Sequence, residues 1–190
     1  MNLPNKLTLS RFVLTIAFLA VMFSQIRYHQ TLALVLFAAA SLTDYYDGKI
    51  ARRDRLITNF GVLMDPLADK ILVCSAFISF VDRNWMPAWM VVIIVARELA
   101  ITGLRLLAAL KQVVLAAEGY GKHKTISQII AIIAILVLQS YPEWGGWGGM
   151  VFDWWVPRFT IVAKWVAVGL TLTSGVLYLW NNRRLYLDDL

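Results

Sequence analysis

Four aspartates lie inside two of the most apolar stretches of the chain. Asp44 and Asp47 are three positions apart and Asp65 and Asp69 are four apart, so each pair falls on one face of a helix. The segment TLALVLFAAASL precedes the first pair, and ILVCSAFISFV follows the second. Carboxylates are costly in apolar surroundings unless they face a polar cavity, a partner charge or a metal. Because four converging carboxylates cannot all ionise without cations between them, the pattern predicts a site for a hard cation, Mg²⁺ or Mn²⁺, with oxygen ligands.

The elements that carry these acids are predicted to be membrane-spanning helices. Hydrophobic residues make up 59% of the 190 residues, charged residues 16%, and the mean hydropathy is +0.65, values typical of an integral membrane protein. A bilayer crossing takes ~20 mostly apolar residues. Six such segments follow one another along the chain, at roughly 7–27, 31–52, 61–82, 86–110, 124–141 and 158–181. We therefore expect an all-α integral membrane protein with six transmembrane helices in a single domain, 1–190.

Basic residues mark one side of this predicted bundle. They lie before the first span, between the second and third, between the fourth and fifth, and after the sixth: Lys6; Arg52, Arg53 and Arg55; Lys111, Lys122 and Lys124; Arg183 and Arg184. Because cytoplasmic loops carry an excess of Lys and Arg, both termini are expected in the cytoplasm, and the protein in the cell (inner) membrane. This placement accounts for the net charge of +6 without a nucleic-acid partner.

Two segments outside the predicted spans carry separate expectations. The residues before the first span are predicted to form a short amphipathic N-terminal helix along the membrane surface. Residues 141–157, YPEWGGWGGMVFDWWVP, combine glycines with tryptophans, whose indole rings favour the membrane–water interface. We predict that the glycines prevent a helix there, and we assign the segment no chemistry.

The acids belong to a longer pattern on two neighbouring predicted helices. It reads Asp44-Tyr-Tyr-Asp47-Gly48-Lys-Ile-Ala51-Arg52, eight residues, then Gly61-Val-Leu-Met-Asp65-Pro-Leu-Ala-Asp69. The small residues share stripes with the acids, which permits close approach of a backbone or a ligand. Arg52 stands at the end of the first stripe, where a guanidinium attracts phosphates. Both acid pairs lie near the predicted cytoplasmic ends of their spans, within reach of soluble nucleotides and lipid headgroups.

This pattern resembles the signature of the CDP-alcohol phosphotransferase family, D-x-x-D-G-x-x-A-R-x8-G-x-x-x-D-x-x-x-D, and meets it at every fixed position. Members of that family transfer a substituted phosphoryl group from a CDP-linked donor to an alcohol and release CMP. The resemblance implies that Asp44, Asp47 and Asp65 are ligands of two metal ions. It implies that Asp69 is both a ligand and the base for the incoming hydroxyl. The residues implied to line the CDP site are Gly48, Ala51, Arg52 and Gly61.

Further segments resemble one branch of this family, the phosphatidylglycerophosphate synthases. They are the N-terminal stretch from Asn2 to Arg11, Ala96-Arg97-Glu98, Thr102-Gly103-Leu104-Arg105 and Gly121-Lys122-His123-Lys124-Thr125. This resemblance implies CDP-diacylglycerol as donor, sn-glycerol 3-phosphate as acceptor, membrane lipids as surroundings and a homodimer. The residues expected to bind the acceptor phosphate are Arg97, Thr102, Arg105, Lys122 and Lys124.

Several alternatives stay open on the sequence. The same donor also serves relatives that use inositol phosphate or phosphatidylglycerol as acceptor. Intramembrane acids also build the ion pathways of secondary transporters, although no inverted second half is evident here. Arg97 and Glu98 can instead form a buried ion pair that ties helices, and Lys122 and Lys124 can be ordinary loop charges. The two histidines lack a zinc-binding spacing.

Overall fold

The computed structural model describes the backbone of residues 3–54, 59–113 and 120–187. Every regular element within these ranges is a helix. The long ones are α1 Leu3–Phe23, α2 His29–Asp54, α3 Asn59–Asp82, α4 Ala88–Leu110, α5 Tyr120–Ser140 and α7 Val156–Asn181. Shorter ones are a 3₁₀ helix Tyr141–Trp144, α6 Gly146–Phe152 and α8 Arg184–Leu187. Each of the six predicted segments falls on one long helix, which confirms the all-α expectation for the described ranges.

Two helical stretches of the described residues are long and apolar enough to cross a bilayer, His123–Trp144 and Val156–Asn181. Shorter apolar stretches occur at Leu9–Phe23 and His29–Thr43. α4 carries three charged residues, Arg97, Glu98 and Arg105, which interrupt its apolar character. Six membrane crossings and two cytoplasmic termini therefore stay predictions.

The N-terminal residues form one helix with the first predicted span. α1 runs without interruption from Leu3 to Phe23. The predicted N-terminal amphipathic segment is therefore not a separate helix within residues 3–23. α1 also ends earlier than the predicted residue 27. The backbone nitrogen and hydroxyl of Ser24 both donate to the Val21 carbonyl, at 3.1 and 2.8 Å, and so close the last turn. Tyr28 then takes a φ of 62° before α2 begins.

The core of the bundle joins the first five helices. α1 packs against α2 and α3, and α5 packs against α2, α3 and α7. The Phe18 ring of α1 meets the Phe37 ring of α2 with centroids 5.9 Å apart, a favourable aromatic separation. On the far side, α5 and α7 approach through small buried residues, which permits close backbone packing. These are Ala131, Ala134, Ala163 and Ala167.

Residues 141–157 contain two short helices, so the prediction of no helix there is wrong. Gly145, with φ +82°, separates the 3₁₀ helix from α6. The Phe152 ring packs against the rings of Tyr141 and Trp144, with centroids 5.9 and 5.6 Å away. Because this aromatic packing stabilises the folded segment, it offsets the poor helix propensity of its glycines.

The same segment caps the start of α2. The Glu143 carboxylate accepts hydrogen bonds from the backbone N–H groups of Gln30 at 3.1 Å and Thr31 at 2.8 Å. It also accepts one from the Thr31 hydroxyl at 2.6 Å, and the Trp144 indole donates to that hydroxyl at 2.8 Å. The first N–H groups of a helix lack intrahelical partners, so a carboxylate here satisfies them and complements the helix dipole.

Candidate active site

The aspartate motif lies on two continuous helices, at matching distances from the end of α2 and the start of α3. Asp44 lies ten residues before the end of α2 at Asp54, and Asp69 lies ten residues after the start of α3 at Asn59. Each is therefore about 15 Å from its helix end. Asp47 and Asp65 lie seven and six residues from the same ends. Only four residues separate α2 from α3, a length typical of antiparallel neighbours. This short connection predicts that the four positions come level in two pairs.

The side chains of the motif and of Lys122 lie outside the described residues, which for side chains are 9–43, 64, 67–68, 70–113, 123–183 and 185–186. This holds for Asp44, Asp47, Gly48, Ala51, Arg52, Gly61, Asp65 and Asp69. Among the described side chains, no group of three or more His, Cys, Asp and Glu is placed to hold a metal ion. The donor set of the motif, carboxylates alone, fits the oxygen preference of Mg²⁺ or Mn²⁺.

Buried stripes on the described parts of both helices lead into the motif. On α2, Ala33, Phe37 and Ala40 are fully buried, and their spacing of four and three continues to position 44. On α3, Ala76, Leu72 and Ala68 are buried, and the same spacing continues to position 65. Two of the acids therefore occupy the next positions of stripes that face the bundle interior.

A second polar cluster joins α4 to α5. Lys124 of α5 is only 4% exposed, and its ammonium bonds the carboxylate of Glu98, which is 7% exposed. The Arg97 guanidinium of α4 lies 3.5 Å from the same carboxylate oxygen. Lys124 is thus neither a loop charge nor an isolated cation, because it stands inside a helix and its charge is balanced by Glu98.

Lys70 extends this cluster to α3. Its ammonium donates to the hydroxyl oxygen of Thr102, and that hydroxyl donates to the Glu98 backbone carbonyl at 2.6 Å. Lys70 also lies within electrostatic range of Glu98, Arg97 and Arg105. Since Lys70 directly follows Asp69 in the chain, it connects the cluster to the aspartate motif.

Arg105 and Arg97 are the remaining cations of the cluster, and both lie against α7. The Arg105 guanidinium lies 5.9 Å from the ring centroid of Tyr178, within the range of a cation–π contact. Among the described residues, no acidic side chain forms an ion pair with Arg105. Arg97 crosses α7 at Gly175, where an added Cβ would lie 2.8 Å from the Arg97 Cγ.

The structure therefore brings together four of the five residues predicted for the acceptor phosphate. Arg97, Thr102 and Lys124 meet around Glu98, and Arg105 lies one turn of α4 beyond Thr102. The fifth, Lys122, lies outside the described side chains. Lys70 was not among the predicted site residues. The signal that identifies it is the one used for the acids, a charge placed within an apolar span.

Comparison with known proteins decides the family. Residues 1–174 match the family described as CDP-alcohol phosphatidyltransferase. The chain belongs to the CDP-alcohol phosphatidyltransferase family. This is a transferase family whose members use divalent metal ions. Membership of this family of membrane enzymes, together with the two long apolar helices, indicates a membrane protein.

Relatives within the CDP-alcohol phosphatidyltransferase family match nearly the whole chain. A Bacillus subtilis protein named CDP-diacylglycerol--glycerol-3-phosphate 3-phosphatidyltransferase is 42% identical over 193 residues, which cover 95% of each chain. A protein of the same name from Rickettsia typhi is 33% identical over 93% of this chain and 94% of its own. A probable phosphatidylglycerophosphate synthase of Mycobacterium tuberculosis is 41% identical over 93% of this chain and 79% of its own.

Proposed function

We propose that this protein transfers the phosphatidyl group of CDP-diacylglycerol to sn-glycerol 3-phosphate, giving phosphatidylglycerophosphate and CMP. The cationic cluster beside Asp69 is the observation that carries the choice of acceptor. Lys124 and Arg97 contact the Glu98 carboxylate, and Lys70 and Arg105 lie near this pair. Among the described side chains the cluster therefore holds four cations and one anion, a net charge of about +3. A phosphate monoester needs such a site, whereas choline, ethanolamine or serine does not. The names of the relatives support the same acceptor.

The aspartate motif is proposed to bind the reacting diphosphate through divalent ions. Asp44, Asp47, Asp65 and Asp69 would hold two ions, Mg²⁺ or Mn²⁺, because they lie at matching distances from the ends of two helices joined by four residues, and carboxylate oxygens suit these ions. Bound there, the ions supply charge stabilisation to the attacking and leaving oxygens of the displacement. Gly48, Ala51 and Gly61 leave room for the CDP group, and Arg52 donates hydrogen bonds to its diphosphate.

Asp69 is proposed as the base for the acceptor hydroxyl. The C1 oxygen of glycerol 3-phosphate forms a bond to the phosphorus that bears the diacylglycerol, and its proton passes to the Asp69 carboxylate. The bond from that phosphorus to the oxygen shared with the cytidylyl phosphate breaks, and CMP leaves with that oxygen. One P–O bond forms and one breaks, so the step needs no further reactant.

The acceptor is proposed to bind between Asp69 and the cationic cluster. Lys70 is the next residue after Asp69, so cations that attract the acceptor phosphate begin one position from the base. Arg105 forms no ion pair with an acid of the described residues and contacts the Tyr178 ring, which leaves its N–H donors available for phosphate oxygens. Lys124 and Glu98 would keep Arg97 and Thr102 in place around that phosphate.

The site is proposed to open to the cytoplasm. The described ends of α2, α3, α4 and α5 that lie near the motif and the cluster also carry the basic loops of the sequence. A site at these ends receives glycerol 3-phosphate from water and CDP-diacylglycerol from the inner membrane. We further propose that residues 1–190 act as a single domain and that the protein is a homodimer, as the family resemblance implies.

CMP release by the purified protein in detergent micelles tests this function. With CDP-diacylglycerol and Mg²⁺, CMP should form with sn-glycerol 3-phosphate and not with glycerol, which lacks the phosphate that the cluster binds. Asp69→Asn should abolish nearly all CMP release, whereas Asp82→Asn, at an exposed acid of the same helix, should leave it unchanged. Equal rates with glycerol would contradict the role of the cluster. Normal turnover by Asp69→Asn would remove Asp69 from the role of base.

A further inference from the structure

Arg11 is a buried cation that the proposed mechanism does not use. It is 1% exposed and lies on the inward stripe of α1 with Thr15, Phe18 and Met22, spaced by four, three and four residues. The Thr15 hydroxyl donates to the Arg11 backbone carbonyl at 2.8 Å, so it leaves the guanidinium to other partners. A guanidinium buried inside a membrane protein is costly unless an anion compensates it.

The contact between Phe18 and Phe37 fixes how α1 and α2 are aligned. Their ring centroids are 5.9 Å apart, and the helices are antiparallel neighbours joined by residues 24–28. Seven residues before Phe18 is Arg11, and seven residues after Phe37 is position 44. Seven residues make about two helical turns, or about 10.5 Å. Because α1 and α2 are antiparallel, the step back from Phe18 to Arg11 and the step forward from Phe37 to position 44 run in the same direction in space.

Positions 11 and 44 therefore come level on facing stripes. Two turns return a helix to nearly the same face, so Arg11 shares a face with Phe18, and position 44 shares a face with Phe37. Independent support comes from the buried stripe of Ala33, Phe37 and Ala40, whose spacing continues to position 44. α1 also packs against α3, the helix that carries the other two acids of the motif.

We propose that Arg11 is a positioning residue that pairs with the carboxylate of Asp44. The inference rests on the proposed function, in which Asp44 is a metal ligand. A guanidinium and a carboxylate form parallel hydrogen bonds that fix the orientation of both groups. A carboxylate has two oxygens with about four lone-pair sites. Asp44 can thus accept from Arg11 and still offer an oxygen to a cation. Arg11 also balances one acid of the motif when no metal is bound.

A double-mutant cycle on unfolding temperature tests the pairing without substrate or metal. The four proteins are the parent, Arg11→Met, Asp44→Asn and the double variant, in detergent with EDTA. Arg11→Met should lower the unfolding temperature of the parent at least twice as much as it lowers that of Asp44→Asn, because the second protein has already lost the anion. Thr15→Val, one turn away on the same stripe, should cause equal shifts in both backgrounds. Equal shifts for Arg11→Met would overturn the pairing.

Two further measurements keep the proposal falsifiable if Arg11→Met does not fold alone. The double variant should then be recovered in larger folded yield than Arg11→Met, since removing both partners leaves no unpaired charge. The pairing would be overturned if neither Arg11→Met nor the double variant folds while Arg11→Lys leaves stability unchanged, both alone and combined with Asp44→Asn. Arg11→Lys keeps the positive charge but loses the two parallel hydrogen bonds of the guanidinium. It should therefore lower kcat several-fold while leaving the KM for CDP-diacylglycerol unchanged. A raised KM for the donor with an unchanged kcat would assign Arg11 to the diphosphate instead.

The cycle separates this inference from the proposed function. Coupling between Arg11 and Asp44 in EDTA, together with no CMP release by the parent, would retain the pairing and remove the function. Additive shifts with normal CMP release would remove the pairing and retain the function.

Discussion

Lys124 and Glu98 form an ion pair inside the bundle, which joins α5 to α4. Both residues are almost completely buried. The Glu98 carboxylate also lies 3.5 Å from the Arg97 guanidinium, so one anion holds two cations of the proposed acceptor site. We therefore predict that the pair affects both the stability of the protein and its affinity for the acceptor, and the two effects can be measured separately.

Removing the anion of this pair should destabilise the protein. Glu98→Gln leaves the Lys124 ammonium buried without its carboxylate, which costs about 3 kcal/mol of unfolding free energy. Denaturant unfolding in detergent measures this loss. The double variant Glu98→Gln with Lys124→Met removes the unpaired charge and should recover most of the stability. A Glu98→Gln protein as stable as the parent would show that the pair does not hold the helices.

Arg105 should determine the affinity for the acceptor. A hydrogen bond to a charged group contributes about 1.5–3 kcal/mol, so Arg105→Gln should raise the KM for glycerol 3-phosphate about 10- to 100-fold. The KM for CDP-diacylglycerol should stay within twofold, because the donor is proposed to bind at the aspartate motif. Arg158→Gln, at an exposed arginine near the start of α7, is the matched control and should change neither KM. An unchanged KM for the acceptor in Arg105→Gln would exclude a phosphate contact.

A methyl group at Gly175 should displace Arg97. The added Cβ would lie 2.8 Å from the Arg97 Cγ, close to the root of that side chain, so the arginine cannot simply swing its far end away. Gly175→Ala should therefore cost about 1–3 kcal/mol of unfolding free energy and raise the KM for glycerol 3-phosphate. Gly169→Ala in the same helix meets no atom within 4 Å. It should be neutral or stabilising by up to about 1 kcal/mol, through helix propensity. Equal stability of the two variants would disprove the close contact.

Loss of the cap on α2 should loosen the start of that helix. Glu143→Ala removes the acceptor of the Gln30 and Thr31 N–H groups, and loss of an N-cap costs about 0.5–2 kcal/mol. Hydrogen exchange should rise at the first turn of α2 and stay unchanged in α4. The Asp82→Asn variant, in which an exposed acid is replaced, should show no such rise. Unaltered exchange at Thr31 in Glu143→Ala would contradict the capping role.

The helices of this fold are largely predictable because apolar runs and their charged ends mark them. The segment predicted at 61–82 corresponds to the helix Asn59–Asp82, and the one predicted at 86–110 corresponds to Ala88–Leu110. α4 starts two residues later than predicted, because Pro87 takes an extended ψ of 137° and so lies outside the helix. The helix Gly146–Phe152 escaped prediction because aromatic contacts made by Phe152, which no local propensity records, stabilise it.

The candidate site was predictable in its residue types and less so in its pairings. Glu98, Thr102 and Arg105 recur at i, i+4 and i+7, a spacing that predicts one face of a helix, and all three lie on α4. Sequence spacing cannot give the contact between Lys124 and Glu98, because it depends on how α5 aligns with α4. The bond from Lys70 to Thr102 was missed for the same reason, since it joins residues of two helices that are 32 positions apart in sequence.

A panel of acceptors tests the proposed choice of sn-glycerol 3-phosphate. Purified protein with CDP-diacylglycerol and Mg²⁺ would be offered sn-glycerol 3-phosphate, serine, inositol phosphate and phosphatidylglycerol in separate reactions. CMP and the lipid product would be quantified in each. We predict CMP and phosphatidylglycerophosphate in equal amounts with glycerol 3-phosphate, and CMP at background level with the other three. CMP formation with serine, inositol phosphate or phosphatidylglycerol, and none with glycerol 3-phosphate, would contradict the account.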